Sequence, residues 1–259
     1  GLGARIEHAD RPLRRKRRGS LTGDASEWCP RRYQIDEVQT AVEKENYMLF
    51  WGPGLGKTYA AWMWVGTLWL LQGGKMGGNT NTKIVVSCPT AVVDQWRMSA
   101  LDATKIPEDE TLCTTQLKKL TRSALRAARL VIVSKDLVRI AFQTCYEFTP
   151  QHHQNARGNW CGGFVPIEGA PLHPLFDPNV TGATGPARMH LIVDEAHNCR
   201  NADSSTCNAH SLLARASVAT LGLTGTPSMG KVCNVAGICR AINIRGGPGD
   251  PDFQDPAAC

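Results

Sequence analysis

The sequence predicts an α/β fold, a mostly parallel sheet with helices on both faces. Three observations lead there. Short apolar runs of strand length alternate with helical segments along the chain. One such run passes straight into the Gly-rich turn Gly52-Pro-Gly-Leu-Gly-Lys-Thr58, and another, 191–193, ends in the carboxylates Asp194 and Glu195. Ligands of open α/β sheets collect outside the carboxyl ends of the strands, so the turn and the acids are expected to meet at one edge.

In chain order, residues 1–29 form a basic tail that is expected to be disordered. Arg11, Arg14, Arg15, Lys16, Arg17 and Arg18 match the whole-chain net charge of +6, so the remainder is balanced. Such a run can be a nuclear-import address, a phosphate-binding arm or a solvated end. Gly1 in place of a start methionine suggests a fragment or a processed chain. A helix is expected over 32–44, a strand over 47–51 and an apolar helix over 59–71. That apolar stretch is shorter than the ~20 residues a membrane span needs, so no membrane partner is expected. Its Trp62, Trp64 and Trp69 resemble a base-stacking platform and read better as core. Residues 73–82 read as a flexible loop.

The next strand is 83–88, followed by a helix from Pro89-Thr90 to about 103, a turn at 107–110 and a weak strand near Leu112. A basic amphipathic helix is expected over 116–129, then a buried strand over 130–134 with a helix behind it. From about 149 to 188 no helix or strand period is visible, and Gly, Pro, Asn and His are frequent. This stretch reads as an insertion, either a surface excursion or a loop that binds a protein partner. The sheet resumes at Met189, a strand over 218–223 ends in Thr224-Gly-Thr-Pro227, and a last helix covers 232–243. Residues 246–259 read as a loose end.

Ten cysteines without a C-x-x-C pair or a secretory signal point to reduced thiols inside a cell. His197, Cys199, Cys207 and His210, like His152, His153 and His173 with Cys161, are spaced too irregularly for a common zinc module and read as ordinary side chains.

The chemistry lies in two runs. Glycines at 52, 54 and 56 let the backbone turn its N–H groups toward phosphate oxygens, and a helix beginning near Lys57 adds its positive end. Pro53 and Leu55 complete the loop. Lys57 is expected to reach the β/γ-phosphates of a nucleoside triphosphate and the Thr58 hydroxyl to ligate Mg²⁺. Position 51, where the general pattern has glycine, holds Trp51. Asp194 is expected to hold the same Mg²⁺, and Glu195 to orient water and accept its proton.

Five runs occur in order: Arg31-Arg-Tyr-Gln34, Gly54-Leu-Gly-Lys-Thr58, Val85-Val-Ser-Cys-Pro-Thr90 with Trp96, Asp194-Glu-Ala-His197 and Leu223-Thr-Gly-Thr-Pro227. Together they resemble the first motor lobe of superfamily-two helicases, a RecA-like P-loop NTPase lobe, and most closely that of SWI/SNF-type double-stranded-DNA translocases. The Leu-Thr-Gly-Thr-Pro run discriminates, since DEAD-box and DEAH-box RNA helicases usually carry Ser-Ala-Thr there. The resemblance implies an ATP-binding lobe over 30–245, carrying the 149–188 insertion, and a DNA-dependent ATPase that uses ATP and Mg²⁺. Double-stranded DNA is the implied partner ahead of RNA. It further implies that Gln34 recognises the adenine edge. Thr90, Gln95 and Trp96, with Ser134 and Lys135, would touch or support the nucleic-acid backbone; His197, Thr224 and Thr226 would couple nucleotide to nucleic acid.

The Asp-Glu-Ala-His-Asn run is also similar to ATPases of large DNA viruses that assist transcription. A strand-separating helicase, a viral ATPase and a non-catalytic binding module therefore remain alternative readings. Localisation is expected to be intracellular, in the nucleus or, for a viral protein, the cytoplasm. The family's arginine fingers come from a second lobe of the same full-length chain, so this polypeptide alone is expected to bind ATP weakly and to hydrolyse it slowly.

Overall fold

The computed structural model describes residues 30–72, 82–154, 160–181, 188–226 and 232–244. The basic tail, the loop read at 73–82 up to residue 81, and the end at 246–259 lie outside them. Helix α1 (Arg32–Lys44) buries Gln34, Val38, Ala41 and Val42, one stripe at helical spacing. It leads into strand β1 (Asn46–Phe50) and, past the Gly-rich turn, helix α2 (Lys57–Leu71). Strand β2 (Thr82–Cys88) is buried throughout. A short 3₁₀ turn, Thr90–Val92, then precedes helix α3 (Val93–Thr104). Strand β3 (Thr111–Thr114), helix α4 (Arg122–Ala127), strand β4 (Leu130–Ser134) and helix α5 (Lys135–Gln143) follow.

After a hairpin of β5 (Tyr146–Gln154) and β6 (Trp160–Pro166) come the short helix α6 (Pro178–Thr181), strand β7 (Arg188–Val193) and helix α7 (Ser205–Arg215). Strand β8 (Ala219–Thr224) and helix α8 (Val232–Ala241) complete the described chain.

Six strands form one parallel sheet in the order β1-β8-β7-β2-β4-β3. Side chains alternate across it, as strand geometry requires. Leu49, Ile84, Val86, Ile132, Ile192 and Leu223 pack under α1, α2 and α3. Val85, Val131, Val133, Leu191 and Val193 face the opposite layer, where α4 to α8 pack. The expected mostly parallel sheet with helices on both faces is therefore present. Every residue of α2 from 60 to 69 is buried, because the helix is wedged between the sheet, α1 and α3. Trp62, Trp64 and Trp69 are core residues. Among the described residues no helix is long and apolar enough to cross a membrane.

Three elements differ from expectation. The helix read over 116–129 is broken: a 3₁₀ turn, Leu117–Lys119, is separated from α4 because the Thr121 hydroxyl accepts the amide of Ala124 at 3.2 Å and starts a new helix. Buried Lys83 donates to the carbonyls of Leu125 and Ala128 and closes that helix at its end.

The stretch read as patternless from 149 begins as an antiparallel hairpin pairing Phe148 with Phe164 and Thr149 with Gly163. Its glycines, taken as loop signals, make room instead. A Cβ on Gly162 would stand 2.3 Å from the Phe148 ring, and one on Gly163 would stand 2.6 Å from the His152 ring. Phe142 of α5 stacks on Tyr146 at 4.5 Å and meets Phe164 edge-on at 5.2 Å, which fastens the hairpin to the second face.

Helix α7 is the third difference, since no element was read between 193 and 218. Its buried face is Cys207, Ala209, His210, Ser211, Leu213 and Ala214, too small and polar to display an apolar period.

Candidate active site at the carboxyl edge of the sheet

Because all six strands run parallel, the ends of β1, β8, β7, β2 and β4 lie at one edge. The turn after β1 needs left-handed backbone at Gly54 (φ 77°) and Gly56 (φ 84°). At Gly56 a side chain is excluded twice, since its Cβ would also come within 2.7 Å of Gln34 Nε2. Two side chains of α1 hold the loop from outside: Tyr33 Oη and Gln34 Nε2 donate to the Leu55 carbonyl at 3.1 and 2.9 Å. Gln34 Oε1 accepts the Arg31 amide at 2.8 Å, so in this structure the amide expected at adenine is engaged at both ends.

Gly52 is partly buried and Pro53, Gly54 and Leu55 are exposed, with no heavy atom within 4 Å of a Cβ built on Gly54. Lys57 starts α2 and folds back, its Nζ donating to the carbonyl of Trp51 at 2.9 Å and of Gly52 at 3.5 Å. Thr58 is half-buried on the same first turn.

The acids follow β7, whose register is carried past its last residue by Asp194 N donating to Ser87 O at 2.9 Å. Among the described residues each oxygen of the Asp194 carboxylate has one donor. Oδ1 accepts the Glu195 amide and Oδ2 the Trp96 indole N–H, both at 2.9 Å. Burial pushes this carboxyl above its usual range, and the indole hydrogen bond opposes that. Glu195 has left-handed backbone, φ 47° and ψ 50°, uncommon for a residue with a side chain. Its main-chain oxygen accepts from Lys135 Nζ at 2.6 Å. Burial lowers the Lys135 ammonium from its ordinary value, and the neighbouring Asp194 and Glu195 pull it back.

Glu195 Oε2 lies 3.1 Å from His197 Nδ1, and the same nitrogen lies 3.0 Å from Thr224 Oγ1. An ionised carboxylate only accepts, so Nδ1 carries the proton. Thr224 Oγ1 in turn accepts the Thr226 amide at 3.2 Å. The end of β8 also abuts the Gly-rich loop: Trp51 N donates to Thr224 O at 3.1 Å, and a Cβ on Gly225 would stand 3.7 Å from Lys57 Nζ.

Residues 25–246 match the SNF2-related domain family. The chain belongs to this family. Its fold is similar to the Sulfolobus solfataricus SWI2/SNF2 ATPase core in complex with dsDNA, with 17% identity and a TM-score of 0.52 over 83% of this chain and 36% of that one. It is also similar to the Pyrococcus furiosus Hef helicase domain, with 16% identity and a TM-score of 0.52 over 83% of this chain and 37% of that one. At such identities the likeness is one of fold. The chain spans little more than a third of either protein's length. No curated protein matches it.

Within this SNF2-related lobe the expected nucleic-acid residues divide into two groups. Thr90 and Gln95 are exposed. Trp96, Ser134 and Lys135 are buried: Trp96 and Lys135 face the acids, and the Ser134 hydroxyl caps α5 by accepting the Leu137 amide at 3.2 Å. Nothing in the sequence announces those inward directions. The cysteine–histidine sets stay apart as well. Cys199 and Cys207 pack with Ala241, while His197 joins Glu195 and His210 joins Ser87. Among the described residues no group of three or more His, Cys, Asp or Glu side chains could hold a metal ion. The second set has His153 and Cys161 side chains outside the description, while His173 Nδ1 accepts the Leu175 amide at 3.2 Å.

His210 supports the site from behind and carries a pH signature. Its Nδ1 donates to Thr206 O at 2.7 Å, leaving Nε2 to accept from Ser87 Oγ at 2.8 Å. Burial lowers its pKa from 6.5 to about 4. The unfolded chain therefore binds this proton first, so the stability contribution is complete above pH 6.5 and is lost as pH falls toward 4. The loss should reach roughly 3 kcal/mol. Thermal unfolding of wild type and His210→Gln at several pH values checks it: the variant's slope through this window should be shallower by up to one proton.

Proposed function

We propose that the lobe binds Mg·ATP and serves a DNA-dependent ATPase that couples hydrolysis to movement on double-stranded DNA. The observation that carries this reading is the convergence of Lys57, Asp194, Glu195, His197 and Thr224 at one sheet edge. The residues fit the ligands. Lys57 spends its charge on two loop carbonyls, contacts that triphosphate oxygens can replace. Asp194 keeps a lone pair on each singly hydrogen-bonded oxygen, and with the Thr58 hydroxyl offers the hard oxygen donors that Mg²⁺ takes. When bound, the ion neutralises phosphate charge.

In the proposed reaction the loop amides and Lys57 hold the phosphates, and Glu195 orients a water and accepts its proton. His197 fixes the Glu195 carboxylate and ties it to Thr224 at the end of β8, a short route by which nucleotide state reaches Thr226. Exposed Thr90 and Gln95 would meet phosphates of the duplex, contacts that do not read bases and so permit movement along any sequence.

A second lobe would supply the arginine finger, typically worth about 10³–10⁵ in rate. The test is ATP hydrolysis, with duplex DNA, single-stranded DNA or RNA, by a polypeptide in which this lobe is followed by a second. Duplex DNA is expected to stimulate most. Preference for single strands would favour a strand-separating helicase, preference for RNA would sink the DNA assignment, and full stimulated turnover by residues 1–259 alone would sink the need for a second lobe.

A further inference from the structure

Trp96 and Lys135 belong to segments that also carry surface residues, yet both side chains end on the acidic pair. Trp96 is 2% exposed and Lys135 is 6% exposed, so neither offers its polar end to a phosphate backbone. The indole cannot swing out freely. Its ring meets Trp62 of α2 edge-on at 5.4 Å, Trp62 Nε1 donates to Ser99 Oγ at 3.0 Å, and Ser99 Oγ donates to Trp96 O at 2.9 Å. An unbroken path thus runs from the helix of the phosphate loop, through Trp62 and Trp96, to Asp194 Oδ2.

On the other side Lys135 shares the Glu195 carbonyl with the Asn198 amide, which donates at 3.1 Å. A left-handed residue with a side chain persists only where its surroundings hold it, and these two donors hold the carbonyl side of Glu195. The Glu195 N–H so placed is the donor to Asp194 Oδ1. Both carboxylate oxygens of Asp194 are therefore aimed, one by Trp96 directly and one by the Glu195 N–H, whose direction depends on the left-handed backbone that Lys135 helps to hold.

We propose that Trp96 and Lys135 are positioning residues that aim the Asp194 carboxylate at the Mg²⁺ of bound ATP, and that neither contacts nucleic acid. This rests on the reading of Asp194 as the metal-side carboxylate. The geometry also gives duplex binding a route to the acids. Gln95 is exposed on the helix that carries Trp96, so a shift of α3 at the surface moves the indole.

The test uses the whole chain and ATP, titrated with and without Mg²⁺, alongside duplex-DNA binding across a salt series and thermal unfolding. In Trp96→Phe, which keeps an aromatic ring and removes the N–H, the Mg²⁺-dependent gain in ATP affinity is expected to fall about tenfold, the size typical of losing a partner of a metal ligand. Lys135→Met should show the same loss and Lys135→Arg should recover most of it. Mg²⁺-free ATP affinity and the salt slope of DNA binding should stay at wild-type values in all three.

A wild-type Mg²⁺ gain in Trp96→Phe or Lys135→Met overturns the proposal, as does a salt slope reduced by about one in Lys135→Met, the mark of a lost phosphate contact. Should Trp96→Phe unfold, the Lys135 pair decides. A wild-type chain without Mg²⁺-dependent ATP binding would instead remove the Asp194 assignment itself. Wild-type binding with unaltered variants removes this inference alone.

Discussion

Glu195→Gln is expected to slow ATP hydrolysis by about 10²–10⁴-fold, the range supplied by a positioned general base, while ATP affinity stays near wild type. The amide has nearly the same shape, and its oxygen can still accept from His197 Nδ1, which lies 3.1 Å from the Glu195 carboxylate. The backbone contacts that set the turn do not involve the side chain: Lys135 and Asn198 donate to the Glu195 carbonyl, and its amide donates to Asp194. Only the capacity to take a proton from water is lost. Single-turnover hydrolysis and equilibrium ATP binding, measured on the same two-lobe preparation, separate the possibilities. Abolished binding, with hydrolysis lost as its consequence, would show that Glu195 is not the base.

Lys57→Ala should weaken ATP binding by about 10–100-fold, the worth of a hydrogen bond to a charged group, with little change in folding. The ammonium rests on the Trp51 and Gly52 carbonyls. Gly52 is only partly buried, so water can replace the ammonium there, and the cost to folding is confined to the one contact with buried Trp51. The loop itself is held by other atoms, the Leu55 carbonyl by Tyr33 and Gln34 and the Trp51 amide by Thr224. Calorimetric titration with ATP, paired with a thermal melt, reads both quantities. Undiminished affinity would defeat the assignment of Lys57 to phosphate.

The meeting of the two runs was legible in the sequence, because each couples residue type to a place at the end of a strand. A Gly-rich turn after an apolar strand, and two carboxylates after another, needed only the parallel sheet to bring them together. Directions of side chains were not legible. Trp96 stands beside Gln95 on one helix, yet one is buried against Asp194 and the other is exposed. Residue type alone offers no way to tell an indole aimed at a groove from one aimed at an acid.

The hairpin of Tyr146–Gln154 and Trp160–Pro166 was hidden because Gly162 and Gly163 read as breakers, although they admit the rings of Phe148 and His152. Helix Ser205–Arg215 was hidden because it buries cysteine, alanine, histidine and serine instead of a leucine stripe, and only the cap at Ser204, whose hydroxyl accepts the Cys207 amide at 3.2 Å, marked its start. In both places the interior is shaped by small residues, and periodicity measures hydrophobic bulk.

Strand β1, the stem of the Gly-rich loop, has among the described residues a single neighbour in the sheet, β8, with Asn46 beside Thr220 and Phe50 beside Thr224. During synthesis the ribosome delivers the loop early and this partner strand late. Such distant pairing must wait for the intervening chain, and a lone strand edge is open to wrong partners meanwhile. A product truncated before β8 would contain Gly54, Lys57 and Thr58 and lack the Thr224 carbonyl that anchors the Trp51 amide ahead of them.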